Sequence, residues 1–384
     1  MPLQFKENLN PTLGVELELQ LIHRTTKDLA AMAPLILSDA AKNPLLNATA
    51  ELTQGMIEIK TDICQNVKEV GRQLQNQLAL IRTLTDRRGI ELAIAGTHPF
   101  QHWWERKIFP DQRHLGIYEK FQWLARRLTT FGLHVHVGVR NGDRAIHIIN
   151  SLINYIPHLL ALSSSSPFWG GRDTGLASCR TAVFESFPTG GLPYFLLDWK
   201  EFENCYNTLL QTGAIGSIKD LYWDIRPHFD FGTVEVRICD GVPTLKETLA
   251  LAALIQCLVV WIDDQFEKGK RSRKVVMPRY WLAPENKWQA VRYGIDGRII
   301  NAESWQTCTI KEEIEKLLEV LKPVATTLGC EKELMSVFDI LKVGTSSVRQ
   351  RKVFQHTQSL PVVVSTLVSE LKTNEPMSGH WGLS

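Results

Sequence analysis

The chain lacks the usual cofactor signatures. No Walker A pattern, no glycine-rich dinucleotide turn after a strand, no nucleophile elbow and no His-Glu-x-x-His helix occurs in it. A nucleotide, if used, must therefore be held by other means. The cysteines at 64, 179, 205, 239, 257, 308 and 330 contain no Cys-x-x-Cys, are odd in number and are widely spaced. That excludes a zinc knuckle and a disulfide framework, and it fits buried thiols in a reducing, cytoplasmic compartment. An excess of one charge is missing as well: 43 Lys and Arg face 41 Asp and Glu, for a net charge of +2. A protein that coats nucleic acid needs a large basic surplus, so no nucleic-acid partner is expected. Met1–Asn10 lacks the apolar core of a signal peptide. The longest apolar run, Leu249–Ile262, is interrupted by Gln256. It falls short of the ~20 residues of a membrane span, so it reads as a buried helix and no membrane partner is expected.

What remains is an ordinary globular composition, 44% hydrophobic and 22% charged over 384 residues. Leu13–Leu21 alternates strictly, with Leu13, Val15, Leu17, Leu19 and Leu21 on one face and Gly14, Glu16, Glu18 and Gln20 on the other. Gly55–Lys60, Glu91–Gly96, Leu133–Val139, Trp223–Arg226 and Thr233–Ile238 read as further strands. Asn66 with Glu69 opens a helix that Gly89 stops. Asp143 is placed as the cap of a helix through Leu162, Asp198 with Glu201 caps another, and Thr244 with Glu247 opens the apolar helix. Ser163–Pro193, rich in Ser, Gly and Pro, reads as a long functional loop carrying Trp169, Arg172 and Arg180. Lys268–Lys274 reads as a basic linker, and helices follow Thr309. Strands and helices do not alternate regularly, so the expected class is α+β. The expected organisation is a catalytic unit over residues 1–308 with a helical layer over 309–384.

One pattern recurs. Separate strands place polar pairs two residues apart: Glu16 with Glu18, His134 with His136, Glu235 with Arg237. A period of two puts each pair on one face and the intervening aliphatics on the other. Glu58 lies on a further strand, with Glu51 seven residues before it. A glutamate on an alternating strand is ordinarily just part of a solvated face. Solvated faces also carry Lys and Thr, and these strands carry almost none. Carboxylates crowded on one sheet face repel and are costly to desolvate, so something positive must hold them. Mg²⁺ bridges carboxylates to phosphate oxygens, and a histidine ligand also suits Mn²⁺. Arg172, Arg180, Arg237 and Arg292 are the candidate anion binders.

In chain order, Gly14–Glu18, Gly96–Phe100, Gly132–Gly138, Leu162–Trp169, Trp223–Pro227, Thr233–Asp240 and Glu285–Trp288 resemble the YbdK-type carboxylate–amine ligases, a branch of the glutamate–cysteine ligase superfamily. The match runs from about residue 12 to 300. The resemblance implies a glutamine-synthetase-like fold, a curved and mostly antiparallel sheet forming a funnel backed by helices. It implies ATP-dependent amide formation through an acyl phosphate, with Mg²⁺ or Mn²⁺, on glutamate and cysteine. The alternatives are the same chemistry on another amine pair, or a metal-dependent hydrolase or binding protein on this fold. Carried over, Glu16 and Glu18 match the first metal-binding pair and Glu51 and Glu58 the second, Glu51 standing where relatives have Asp. His134 matches the nitrogen ligand, Glu235 the last carboxylate, and Arg237 the arginine that stabilises the transferred phosphoryl group. The loop with Trp169, Arg172 and Arg180 would cover the substrate, Arg180 meeting its carboxylate, while His136 and Arg292 are assigned only to substrate or ATP binding. Trp103 and Trp104 suit either a homodimer interface or core packing.

Overall fold

The computed structural model describes residues 3–269 and 280–377, so residues 270–274 of the basic stretch lie outside the described residues. Nine strands matter for the site: β1 (Leu13–His23), β2 (Ala48–Ala50), β3 (Met56–Lys60), β4 (Ile90–Ala93), β5 (Leu133–Gly138), β6 (Phe168–Trp169), β7 (Arg172–Asp173), β8 (Ile225–His228) and β9 (Thr233–Val236). The helices up to the active region are α1 (Ala33–Ala40), α2 (Val67–Asp86), α3 (Gln112–Phe121), α4 (Trp123–Arg127), α5 (Gly142–Leu152), α6 (Ile156–Ser163) and α7 (Cys179–Phe184). They are followed by α8 (Trp199–Gln211), α9 (Leu245–Glu267), α10 (Ala283–Tyr293), α11 (Ile310–Leu328), α12 (Glu331–Met335), α13 (Val337–Val343), α14 (Ser346–Thr357) and α15 (Leu360–Thr373).

The main sheet runs β2-β3-β1-β5-β9-β8, with β4 beside the C-terminal half of β1. Every pairing in it is antiparallel, and the class is α+β, as expected. Residues directly opposite in an antiparallel ladder share a face. The register sets Glu18 opposite Glu58, Glu16 opposite His134, His136 opposite Glu235, and Glu235 opposite Arg226. The other face carries Leu13, Val15, Leu17, Ile57, Ile59, Val135 and Val236, all buried in one core. Helices α2, α5 and α9 pack against these strands.

Three of the caps stand where the sequence places them: Asn66 accepts from the Glu69 amide at 3.0 Å, Asp198 from the Glu201 amide at 2.8 Å and Thr244 from the Glu247 amide at 3.1 Å. The helix after β5 differs. Asn141, not Asp143, caps α5 by accepting from the Arg144 amide, and Asp143 instead accepts from the Trp199 amide at 2.9 Å. That helix also breaks, through a short 3₁₀ turn at Ile153–Tyr155, before Pro157 at the start of α6. Helix α9 is 23 residues long, more than its apolar run suggests, and by length and composition it could cross a membrane, but it is mostly buried within the fold.

The largest departure is Ser163–Pro193, which is not an open loop. Ser163, Ser164, Ser165 and Ser166 are all fully buried. Asp240, equally buried, organises them: it accepts from the Ser165 amide at 3.0 Å, Ser166 Oγ at 2.7 Å and Ser178 Oγ at 2.9 Å. The hairpin β6–β7 and helix α7 follow, so the polar composition satisfies an internal carboxylate rather than solvent. Beyond it, α11 lies on α9 and α6, and α15 on β4. Arg349 joins these layers from within, with Nε 2.8 Å from Glu370 and Nη1 2.9 Å from Glu247. Trp104 is 54% exposed and stacks on His102, so it is not a core residue.

Leu17 lies at the centre of β1 with no exposed surface. Leu17→Ala is expected to cost about 2–5 kcal/mol, the range for a buried leucine that leaves a cavity, read as a shift of the urea unfolding midpoint.

Candidate active site

The polar face of the sheet forms the floor of a cavity of about 590 Å³, bordered by Glu16, Glu18, Glu51, Glu58, His134, His136, Glu235 and Arg237. Residues from five separate stretches of chain thus meet in one place. His134 Nδ1 lies 3.3 Å from Glu16 Oε2, and its Nε2 lies 3.9 Å from Glu18 Oε1. His136 Nε2 lies 3.9 Å from Glu16 Oε1 and 3.7 Å from Glu235 Oε1. Among the described residues, three groups bring ligand atoms within 4.8 Å of one another: Glu16–His136–Glu235, Glu16–Glu58–His134 and Glu18–Glu51–Glu58. His136, assigned from sequence only to the pocket, is therefore as well placed to ligate as His134.

Positive side chains hold this acidic floor together. Lys60 Nζ lies 2.7 Å from Glu58 and 3.4 Å from Glu16. Arg226 grips Glu235 through Nε at 2.7 Å and Nη2 at 3.2 Å, and Arg237 pairs with the same carboxylate. The titration of the groups follows from this arrangement. Burial pushes Glu58 up to about 7, with repulsion from Glu16 adding to it. Burial, then Glu58 and Glu18, push Glu51 well above the ordinary range. For Glu16, burial is outweighed by the His134 hydrogen bond and by the charges of His136, His134 and Lys60, which hold it below that range. For Glu235, burial is outweighed by Arg226 and Arg237. Burial, then Arg237, lowers His134.

Four expected substrate contacts are not brought to this cavity. Trp169 packs against the apolar cluster of Leu52, Leu128, Val183, Phe187 and Tyr222 and does not border the cavity. Arg172 is exposed on β7. Arg292 donates to the Gly175 carbonyl and so braces the segment before α7. Arg180 is buried beside the cavity, but its Nη1 donates to the Ile238 carbonyl and its Nη2 to the Arg237 carbonyl, each at 3.1 Å. Sequence reasoning in turn missed Lys60 and Arg226. Lys60 stands two residues after Glu58, so the same period-two rule that pairs Glu16 with Glu18 finds it. Arg226 shows no such signal, because only the β8–β9 register places it opposite Glu235.

The chain matches the family model of glutamate–cysteine ligase family 2 over residues 12–365. It is 45% identical over 385 residues to the "Putative glutamate--cysteine ligase 2" of Thermobifida fusca, spanning 99% of this chain and 95% of that one. A protein of the same name from Gloeobacter violaceus is 43% identical over 375 residues, spanning 97% and 100% of the two chains. Among solved structures, the glutamate–cysteine ligase of Francisella tularensis in complex with AMP shares the fold. Its TM-score is 0.68 at 11% identity, over 95% of this chain and 90% of that one. Family match, close relatives and shared fold agree with the acidic cavity floor: the chain belongs to glutamate–cysteine ligase family 2 and is an ATP-dependent ligase.

Proposed function

We propose that this ligase joins the side-chain carboxylate of glutamate to an amino-acid amine, cysteine in the names of its relatives, through an acyl phosphate. The observation that supports this reading is the convergence of Glu16, Glu18, Glu51, Glu58, His134 and Glu235 with Arg237 on one cavity. The donors are carboxylate oxygens and imidazole nitrogens, a set that suits Mg²⁺ or Mn²⁺. Those six residues, with His136, would hold the ions. When bound, such cations neutralise the triphosphate of ATP and favour departure of ADP. Free cysteines throughout the described residues suit a reducing cytoplasm.

The chain's own residues do the positioning. Arg226 fixes Glu235, and Glu235 in turn orients Arg237. Arg237 Nε has no partner in the protein. Arg237 borders the cavity, so its positive charge stands where negative charge develops as the glutamate carboxylate oxygen attacks the γ-phosphorus. The acyl phosphate is then attacked by the amine lone pair. The bond from acyl carbon to phosphate oxygen breaks, and phosphate leaves with the amine proton.

Glu235→Gln and Glu16→Gln should abolish ADP release with both substrates present while the circular dichroism spectrum is retained. Arg237→Lys should lower kcat by about a hundredfold or more, the scale for losing an oriented donor. Full turnover in any of these variants sinks the assignment. Mg²⁺ should raise the melting temperature far more with ATP than alone, because phosphate oxygens complete the coordination; equal shifts count against a metal–nucleotide site.

A third expectation concerns the protein in chelator. Glu58, pushed up to about 7, keeps its proton to higher pH than it does in the unfolded chain. The folded state therefore binds more protons between the two values, and stability falls as pH rises through that window. Glu58→Gln removes this loss. It should stabilise the chelated protein by roughly 1–3 kcal/mol at pH 8 and by nothing near pH 4, read by chemical denaturation at both pH values.

A further inference from the structure

The cavity has two unlike ends along β1. One end lies past Gly14 and His136 and is bordered by Lys6, Asn8 and the stacked pair His228–Phe231, whose rings are 4.0 Å apart with Phe231 54% exposed. The other end lies past Glu18 and Arg237 and is closed by Leu52, Ile117, Leu128, Phe184 and Tyr222. Leu52, Leu128 and Tyr222 are each less than a tenth exposed and form one apolar cluster, with Ile117 and Phe184 packed on it. Two polar groups interrupt this wall. Tyr222 is 7% exposed, and its buried hydroxyl has no hydrogen-bond partner. Arg113, exposed on α3, borders the cavity, and its charge acts on Glu51 and on Tyr222.

From these two ends we infer that the acceptor amine is an amino acid whose side chain is apolar and larger than that of cysteine. It binds against Leu128, Phe184 and Tyr222 with its carboxylate on Arg113. The inference rests on the ligase reading above and narrows its substrate. In-line transfer puts the nucleoside and the attacked acyl carbon on opposite sides of the γ-phosphorus. Arg237 and Phe184 border one small recess together with Tyr222, so the apolar end adjoins the side on which the acyl group forms. A guanidinium beside an apolar wall matches a carboxylate joined to an apolar side chain, whereas a nucleoside has no anion to offer it. The thiol of cysteine would leave most of this wall against water, and its small side chain buries little of it.

The test uses the full chain with Mg²⁺, ATP and glutamate. Hydroxylamine, which needs no acceptor pocket, traps the acyl phosphate as a hydroxamate, while cysteine, leucine and phenylalanine are compared as acceptors by product mass. The expected result is hydroxamate formation together with kcat/KM for leucine or phenylalanine at least about tenfold above that for cysteine. Phe184→Ala should reduce that preference by about tenfold or more. Arg113→Met should raise KM for phenylalanine and narrow its advantage over phenethylamine, which lacks the carboxylate. Hydroxamate formation with cysteine as the best acceptor overturns the inference and leaves the ligase reading standing. So does a Phe184→Ala variant whose KM rises for ATP instead of the acceptor, since the apolar end would then hold the base. No hydroxamate from the unaltered protein overturns the ligase reading on glutamate, and this inference with it.

Discussion

Like charges crowded onto one face of a sheet are the constraint that shapes the rest of this molecule. Glu16, Glu18, Glu51, Glu58 and Glu235 border one cavity, countered within it by Lys60, Arg226 and Arg237. Two carboxylates 4 Å apart repel by about 4 kcal/mol at the effective dielectric of a protein surface, and by more where water is excluded. Such a floor persists only if the strands beneath it cannot move. Their opposite face supplies that rigidity: an aliphatic core against α2, α5 and α9 whose burial outweighs the repulsion above it.

The two arginines around Glu235 show how the chain divides structure from chemistry. Arg226 is spent on the protein. Its Nη1 donates to the carbonyls of Ile218, Lys219 and Leu221, and its remaining donors hold Glu235. Arg237 shares that carboxylate but keeps Nε unpartnered. A buried donor left unmatched costs free energy, roughly 1–3 kcal/mol. Identical side chains on neighbouring strands thus differ in which of their donors are already satisfied.

The same distinction explains what the sequence conveys and what it conceals. The strands, their apolar faces and the Glu16, Glu18, His134, Glu235 pattern are legible because a period of two converts order along the chain into position on a face. Caps such as Asn66 and Thr244 are legible because they are local. The Ser163–Pro193 segment is not, because a serine facing water and a serine facing buried Asp240 look alike until Asp240, far along the chain, is placed beside it. Arg172, Arg180 and Arg292 mislead for a related reason. Irregular backbone leaves carbonyls unpaired, and arginine is as good a partner for a carbonyl as for a substrate. Arg180 and Arg292 do that work here.

Catalytic and selective parts of this cavity are built from different material. The acidic ring stands on β1, β3, β5 and β9, where a one-residue shift would turn every side chain to the wrong face. The apolar end stands on helices α3 and α7, on Leu52 and Leu128 beyond the strands, and on Tyr222 before β8. Residues on such connections can change without disturbing the sheet, so relatives can keep one phosphoryl-transfer apparatus while exchanging the amine it serves. A shared family thus settles the bond that is made far more firmly than the molecule it is made to. The side chains that decide the latter are Ile117, Leu128, Phe184 and Tyr222, which lie outside the recurring strand pattern.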